Sequence, residues 1–272
     1  MSYIDDSAVS GKLGFIYDIS DSISIFAQYA EGFRSPDYES ANISFTNFAF
    51  YYSVAPNPNL DSEESDGYEI GLRGNNILGS SRLNWSLVYY ENDYEDFIDT
   101  QLTGRSPRGI SIYQYVNLND VTIDGFELEV QALINENYSL YVGYSNSDGE
   151  QNGEKLISID PDQTIIGLNW NSDTGRFNIR GFANITEGSI DGLAPVCGRS
   201  GCSNLVETPG RATFDLFFNA NISDNIALNM AIRNITNEKF YDWASINGKT
   251  VDDPELELYS NSGRTFSASI KY

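Results

Sequence analysis

Histidine is absent from all 272 residues. That one absence removes the Ser-His-Asp and Cys-His nucleophile systems, His-ligated zinc and any histidine general base. Positive charge is scarce: 16 Lys and Arg stand against 39 Asp and Glu, a net charge of -23. Binding phosphates needs clustered cations, so nucleic acid is excluded as a partner. Two cysteines, Cys197 and Cys202, are too few for a disulfide framework. Gly248-Lys249-Thr250 is no phosphate loop, because Trp243 stands where that motif needs its first glycine. No apolar run approaches the roughly 18–20 residues of a membrane helix. Nothing after Met1 resembles a signal peptide, as expected of a cytosolic start or of a piece of a longer chain.

What the chain does have is aromatic residues, with 18 Tyr and 15 Phe, and a period of two. Phe126, Leu128, Val130, Ala132 and Ile134 fall on one face, with Glu127, Glu129 and Gln131 between them. Tyr138 to Tyr144, Ala212 to Ala220, Ile226 to Ile232 and Phe266 to Tyr272 alternate in the same way. Such a pattern marks strands with one apolar and one polar face. Helix-like sequence is confined to a short acidic piece around Asp61–Asp66.

A soluble β-sandwich and a transmembrane β-barrel both carry this pattern. The segments run to about ten residues, the length of a tilted membrane-spanning strand, whereas soluble strands centre near five or six. Aromatics sit at segment ends, as at Tyr17, Tyr29, Tyr68, Tyr89, Tyr138, Tyr144, Trp170 and Tyr272, where interfacial girdles belong. Glu69, Arg73, Glu127, Glu129, Arg180, Asp215 and Arg233 occupy the alternate face, which suits a wet lumen and not a dry core. The reading is an all-β, antiparallel transmembrane barrel in the outer membrane of a Gram-negative bacterium.

Short turns near Ile19–Ser22, Gly74–Ser81, Asn135–Asn137, Asn171–Gly175 and Asn221–Asn225 alternate with long links. The links lie at roughly 32–65, 94–111, 148–161, 187–209 and 235–262. Outer-membrane barrels alternate periplasmic turns and extracellular loops in this manner. Counting predicts about eleven strands, from one near residues 11–19 to one at 263–272. Complete bacterial barrels have even strand numbers, so residues 1–272 are expected to be the C-terminal portion of a larger barrel domain.

Several motifs then resemble those of TonB-dependent outer-membrane receptors. Tyr29-Ala30-Glu31-Gly32-Phe33-Arg34-Ser35-Pro36 is similar to their "GFRAP" box. Pro56-Asn57-Pro58-Asn59-Leu60, followed by Ser65-Asp66-Gly67-Tyr68-Glu69-Ile70-Gly71-Leu72-Arg73, resembles their "NPNLKPE…YELGLR" segment. Asn117 through Glu129, Asn234-Ile235-Thr236-Asn237-Glu238-Lys239-Phe240-Tyr241, and Gly263-Arg264 match later motifs in family order. Tyr241-Asp242-Trp243 and Asp252-Asp253-Pro254 through Leu258-Tyr259 are most like the haem/haemoglobin subfamily. The resemblance implies a 22-stranded barrel of which this chain is half. It also implies an upstream plug, absent here, and contact with the TonB complex through that missing N-terminal region. The implied function is import of haem, free or from haemoglobin, or of an iron chelate, with no intrinsic cofactor. The alternatives are a receptor for a siderophore or another scarce nutrient, or a non-transporting adhesion barrel. An outer-membrane phospholipase would need a histidine, so no enzyme is expected.

The resemblance assigns ligand contact to Phe33, Arg34, Pro36, Asn57, Pro58, Asn59 and Leu60, although the same residues would serve simply to fix the ends of a long loop. The haem subfamily places a ligating histidine in that loop, where residues 37–56 hold none. Tyr38, Tyr51 and Tyr52 are the candidates to replace it, since phenolate ligates haem iron. Cys197 and Cys202 lie in a glycine-rich external loop and are expected to form a small disulfide. The acidic loops Asp148-Gly149-Glu150 and Asp252-Asp253-Pro254-Glu255 follow no EF-hand spacing, so no metal site is assigned.

Overall fold

A computed structural model describes residues 6–48, 51–79, 81–189, 195–198 and 201–272. The strands in chain order are β1 (Lys12–Ser20), β2 (Ile23–Arg34), β3 (Phe45–Asn47), β4 (Tyr52–Ala55), β5 (Glu63–Leu78) and β6 (Ser81–Glu95). They continue as β7 (Phe97–Arg105), β8 (Ser111–Leu118), β9 (Val121–Leu133), β10 (Tyr138–Gln151), β11 (Glu154–Lys155) and β12 (Gln163–Asn171). The last are β13 (Phe177–Thr186), β14 (Val196–Gly198), β15 (Gly201–Ser203), β16 (Arg211–Ser223), β17 (Ile226–Arg233) and β18 (Thr265–Lys271). Two short helices, α1 (Tyr38–Asn42) and α2 (Trp243–Ile246), lie between strands.

One sheet dominates. Its strands follow the order β1-β2-β5-β6-β9-β10-β12-β13-β16-β17-β18, each antiparallel to its neighbour, and the two-residue β11 pairs with β10. Ladder after ladder places like with like: Leu72 opposite Leu87, Leu87 opposite Leu128, Val130 opposite Val142, and Val142 opposite Ile166. This apolar face is left uncovered, with Ile70, Phe126, Leu168, Phe214, Met230 and Phe266 all exposed. Aromatic pairs cap it toward the long-loop end, Tyr29 with Tyr68 at 5.2 Å and Tyr89 with Phe126 at 5.1 Å. Exposed apolar strands flanked by aromatics belong in lipid, where every backbone group is satisfied by the neighbouring strand.

The polar face carries Glu69, Arg73, Glu127, Glu129, Arg180 and Asp215. Tyr90 is held there against Gly125: a Cβ on Gly125 would sit 2.1 Å from the Asn146 carbonyl and 2.6 Å from the Tyr90 hydroxyl. Buried side chains, by contrast, cluster in the long links. Leu118, Val121 and Leu156 form one group, packed with Tyr94 and Phe97. Val206, Trp243 and Ile246 form another, packed with Ile157 and Tyr259.

Three details differ from the sequence reading. The acidic stretch 61–66 is not helical: residues 63–66 open β5, where Glu63 lies opposite Arg34 and Asp66 opposite Glu31. Helix instead appears at α1, whose Asp37 cap accepts a hydrogen bond from the Ser40 amide. The second long link reaches residue 120, beyond 111, because Ser111–Leu118 pairs with β7 in a separate sheet and Asp120, at φ 54, starts β9 afresh. The turn placed at Gly74–Ser81 is shorter, since the β5–β6 ladder runs to Leu78 opposite Ser81.

The Gly125 contact yields a prediction. Gly125→Ala forces its methyl into backbone and should cost about 1–3 kcal/mol by overpacking. Gly14→Ala, which meets nothing within 4 Å, serves as the control. Urea titration of the detergent-solubilised barrel should show a lowered midpoint for the first variant alone.

Candidate functional site

The two boxes bracket the link between β2 and β5, and their side chains mostly hold it in place. Arg34 and Glu63 form an ion pair at 3.0 Å, with the Glu63 side chain only 10% exposed. Between them they grip one residue of β7 by both its backbone groups: Arg34 Nη2 donates to the Ile98 carbonyl at 3.0 Å, and the Ile98 amide donates to Glu63 Oε2 at 2.8 Å. Phe33, one residue earlier, faces the other side of the strand. Pro36 is buried. Asn57 ties three segments: its amide donates to the Ser40 carbonyl, its Nδ2 donates to the Tyr115 carbonyl, and its Oδ1 accepts from the Asn59 amide. Pro58 and Asn59 form an exposed turn and Leu60 is half-buried.

These ties support a second sheet outside the first, in the order β3-β4-β8-β7. β4 pairs with β8 in parallel, Tyr52 opposite Ser111, so the two longest-separated pieces of the site are joined by backbone. Gln114 donates to the Pro56 carbonyl at 2.8 Å. Asn117 donates to the Asp61 and Asp96 carbonyls and accepts from the Asp61 amide. Glu63, Gln114 and Asn117 were not singled out in the sequence as site residues. Only the pairing of Glu63 with Arg34 across β2 and β5 could have pointed to the first of them.

The candidate tyrosines separate. Tyr52 packs against Phe45 at 6.0 Å and edge-on against Tyr113 at 6.5 Å. Tyr51, at φ 50, is 64% exposed, and its carbonyl accepts from the Ser111 amide at 2.9 Å. Tyr38 opens α1 half-exposed. With Phe45 and Phe48, also exposed, Tyr51 gives the β3–β4 hairpin an exposed aromatic rim.

The remaining links brace one another. Trp243 Nε1 donates to the Ile157 carbonyl at 2.8 Å, and Arg211 pairs with Asp242 at 2.9 Å while stacking over Phe240 at 4.2 Å. Lys239 and Glu257 form an exposed pair in which the hydrogen bond raises the amine and holds the carboxyl below its ordinary value. Hydrogen bonds from Ser203 and Thr250 likewise hold Asp252 low, and the positive charge of Arg105 adds to them. Cys197 and Cys202 face each other across the β14–β15 ribbon, and Cys202 is disulfide-bonded; the Cys197 side chain lies outside the described residues. Among the described residues no group of acids and cysteines is arranged to hold a metal.

Comparison with known proteins gives a consistent fold. The family described as TonB dependent receptor-like, beta-barrel, matches residues 2–235. Hemoglobin-haptoglobin utilization protein B of Neisseria meningitidis is 23% identical over 95% of this chain and 36% of its own length. The ferripyoverdine receptor of Pseudomonas aeruginosa is 26% identical over 56% of the chain and 17% of its own length. Among solved structures, the copper transporter OprC superposes with a TM-score of 0.73 at 18% identity, covering 97% of this chain and 39% of the transporter. The chain thus spans about a third or less of the curated relatives it matches.

The Arg34–Glu63 clamp is testable by proteolysis. Glu63→Gln should release the β7–β8 hairpin at a cost of about 1–2 kcal/mol, a buried-pair penalty reduced because Arg34 is more than half exposed. Limited trypsin digestion of the intact receptor should then cut faster after Arg105 and Arg108.

Proposed function

We propose, because this chain belongs to the TonB-dependent receptor-like β-barrel family, that it forms the wall and external capture loops of a receptor importing an iron complex. Members of that family are non-catalytic transport receptors of the outer membrane. In this reading the polar face of the sheet lines the lumen, the aromatic-capped apolar face meets lipid, and the braced links face the outside. Energy arrives from a TonB partner, which engages a part of the receptor upstream of these strands.

One observation carries the proposal: the external sheet is tied down at Arg34, Glu63, Asn57 and Asn117, yet leaves Phe45, Phe48 and Tyr51 exposed. A rigid support with an uncovered aromatic rim captures a flat or apolar-edged ligand at low entropic cost. Boxes that hold the loop, not the ligand, are the consequence for Arg34, Asn57 and Pro36.

Two iron complexes fit. A ferric siderophore needs no axial protein ligand, which suits a loop without histidine, and the relative from Pseudomonas aeruginosa is a ferripyoverdine receptor. Haem is the second reading, favoured by the haemoglobin-directed relatives. Its iron would take the exposed Tyr51 or Tyr38, since Tyr52 is engaged in packing.

Uptake of radio-iron by iron-starved cells expressing the intact receptor separates the two. Ferric siderophore, haem and haemoglobin are supplied in turn. Replacing Phe45, Phe48 and Tyr51 together by Ala should weaken capture of the true ligand about 10-fold to 100-fold, the scale of losing aromatic anchors. A haem ligand also requires a saturable Soret shift that Tyr51→Phe or Tyr38→Phe abolishes. Uptake of none of these complexes above the level of receptor-free cells would refute the proposal.

A further inference from the structure

The polar face of the sheet contains an arrangement that neither the boxes nor the external loops explain. Phe217, in β16, lies directly opposite Arg180 of β13. The Arg180 guanidinium stands 5.8 Å from the centre of the Phe217 ring, and that of Arg233, at the end of β17, stands 5.4 Å from the same ring. Phe182 meets Phe217 edge-on at 5.8 Å, with an interplanar angle of 81°. Room for Phe182 comes from Gly167 on the next strand, where a Cβ would lie 2.8 Å from the Phe182 ring. One missing side chain seats one ring, that ring braces a second, and the second carries two cations.

Both arginines are exposed, and neither belongs to any of the five ion pairs among the described residues. What sets them apart from the other cations outside those pairs is that both lie over one ring. Asp215, the carboxylate nearest by register, accepts from the Asn234 amide at 2.8 Å and from Asn184 Nδ2 at 3.4 Å. It is committed to the backbone turn after β17. A guanidinium stacked on an aromatic face keeps its in-plane N–H donors free, and those donors form a fork matched to a carboxylate. The ring also limits the rotamers each arginine must give up on binding. Two such forks flank a single aromatic surface, and a concavity of about 400 Å³ that includes Arg82, Tyr141, Asn169 and Phe182 adjoins them on the same face.

We infer that Arg180 and Arg233, seated on Phe217, form a carboxylate-binding station on the lumen wall that takes the acidic edge of an anionic iron complex. The identity of the cargo rests on the receptor reading above; the binding of carboxylate does not. Against a wall and loops of large net negative charge, this station offers an anionic ligand its foothold after capture. It selects for complexes that carry carboxylates over neutral chelates of similar size.

The test labels the intact receptor in outer-membrane vesicles with phenylglyoxal, which modifies free guanidinium groups, and quantifies each arginine by peptide mass spectrometry. Citrate is the probe, at constant ionic strength, with chloride in its place as the control. Citrate should slow labelling of Arg180 and Arg233 saturably and about tenfold, the factor expected of one charge-assisted hydrogen bond. Arg108, exposed at the β7–β8 hairpin tip, should be unaffected. Arg233→Gln should remove most of the protection at Arg180, and Phe217→Leu should weaken protection at both. Equal slowing at Arg108, or no slowing at any arginine, would overturn the station. So would arginines already unreactive before citrate is added, because another part of the receptor would then cover them. Protection in a receptor that imports no iron complex would keep the station and discard the cargo.

Discussion

Everything in this protein follows from one requirement, that backbone amides and carbonyls within hydrocarbon find partners in the protein. The β1-to-β18 ladder answers it strand by strand, with long registers such as the thirteen pairs joining β9 to β10. Once those groups are satisfied sideways, side chains are free to sort by face alone. Apolar residues go to the lipid side and stay uncovered, so the sheet itself has almost no interior. The close-packed interior that a soluble domain would build between layers is displaced to the long links and the strand ends beside them, at Leu118, Val121, Trp243 and Ile246.

That displacement ties the external links to one another. The link between β10 and β12 supplies Leu156 to one buried cluster and Ile157 to the other. It therefore couples segments that are far apart in the chain. The β3-β4-β8-β7 sheet is hitched to the wall through the backbone of Ile98, and the β14–β15 ribbon is tied to the last long link through Ser203 and Asp252. In the proposed receptor, a capture surface built this way would present its aromatic rim from a braced frame. On that proposal, specificity would depend on which side chains are left out of the bracing, more than on the bracing residues themselves.

Period-two alternation made the spanning strands legible in stretches such as Phe126–Ile134 and Ala212–Ala220, because lipid on one side and water on the other impose a strict pattern. The family boxes were legible as well, but not their roles. Arg34 and Asn57 stand out in sequence as polar residues in an exposed loop, and only the fold reveals that Glu63 and the Tyr115 carbonyl occupy them. The external sheet was hidden for a different reason. Its strands β3 and β4 are three and four residues long, too short for a periodic signal, and β4 finds its partner β8 nearly sixty residues away in parallel. Cation–π seats such as Phe217 are likewise invisible in one dimension, because their members come from three separate strands.

Counting along the ladder has a geometric sequel. Ten consecutive antiparallel steps separate β1 from β18, so these two outermost strands point the same way. Joining them edge to edge would create a parallel seam, with slanted hydrogen bonds and slightly weaker pairing than any other junction in the sheet. A wall that is antiparallel all round must instead receive an odd number of strands between β18 and β1. That parity rule is a handle for engineering: segments grafted to complete this sheet should come as one, three or a larger odd number of strands, never as a simple hairpin.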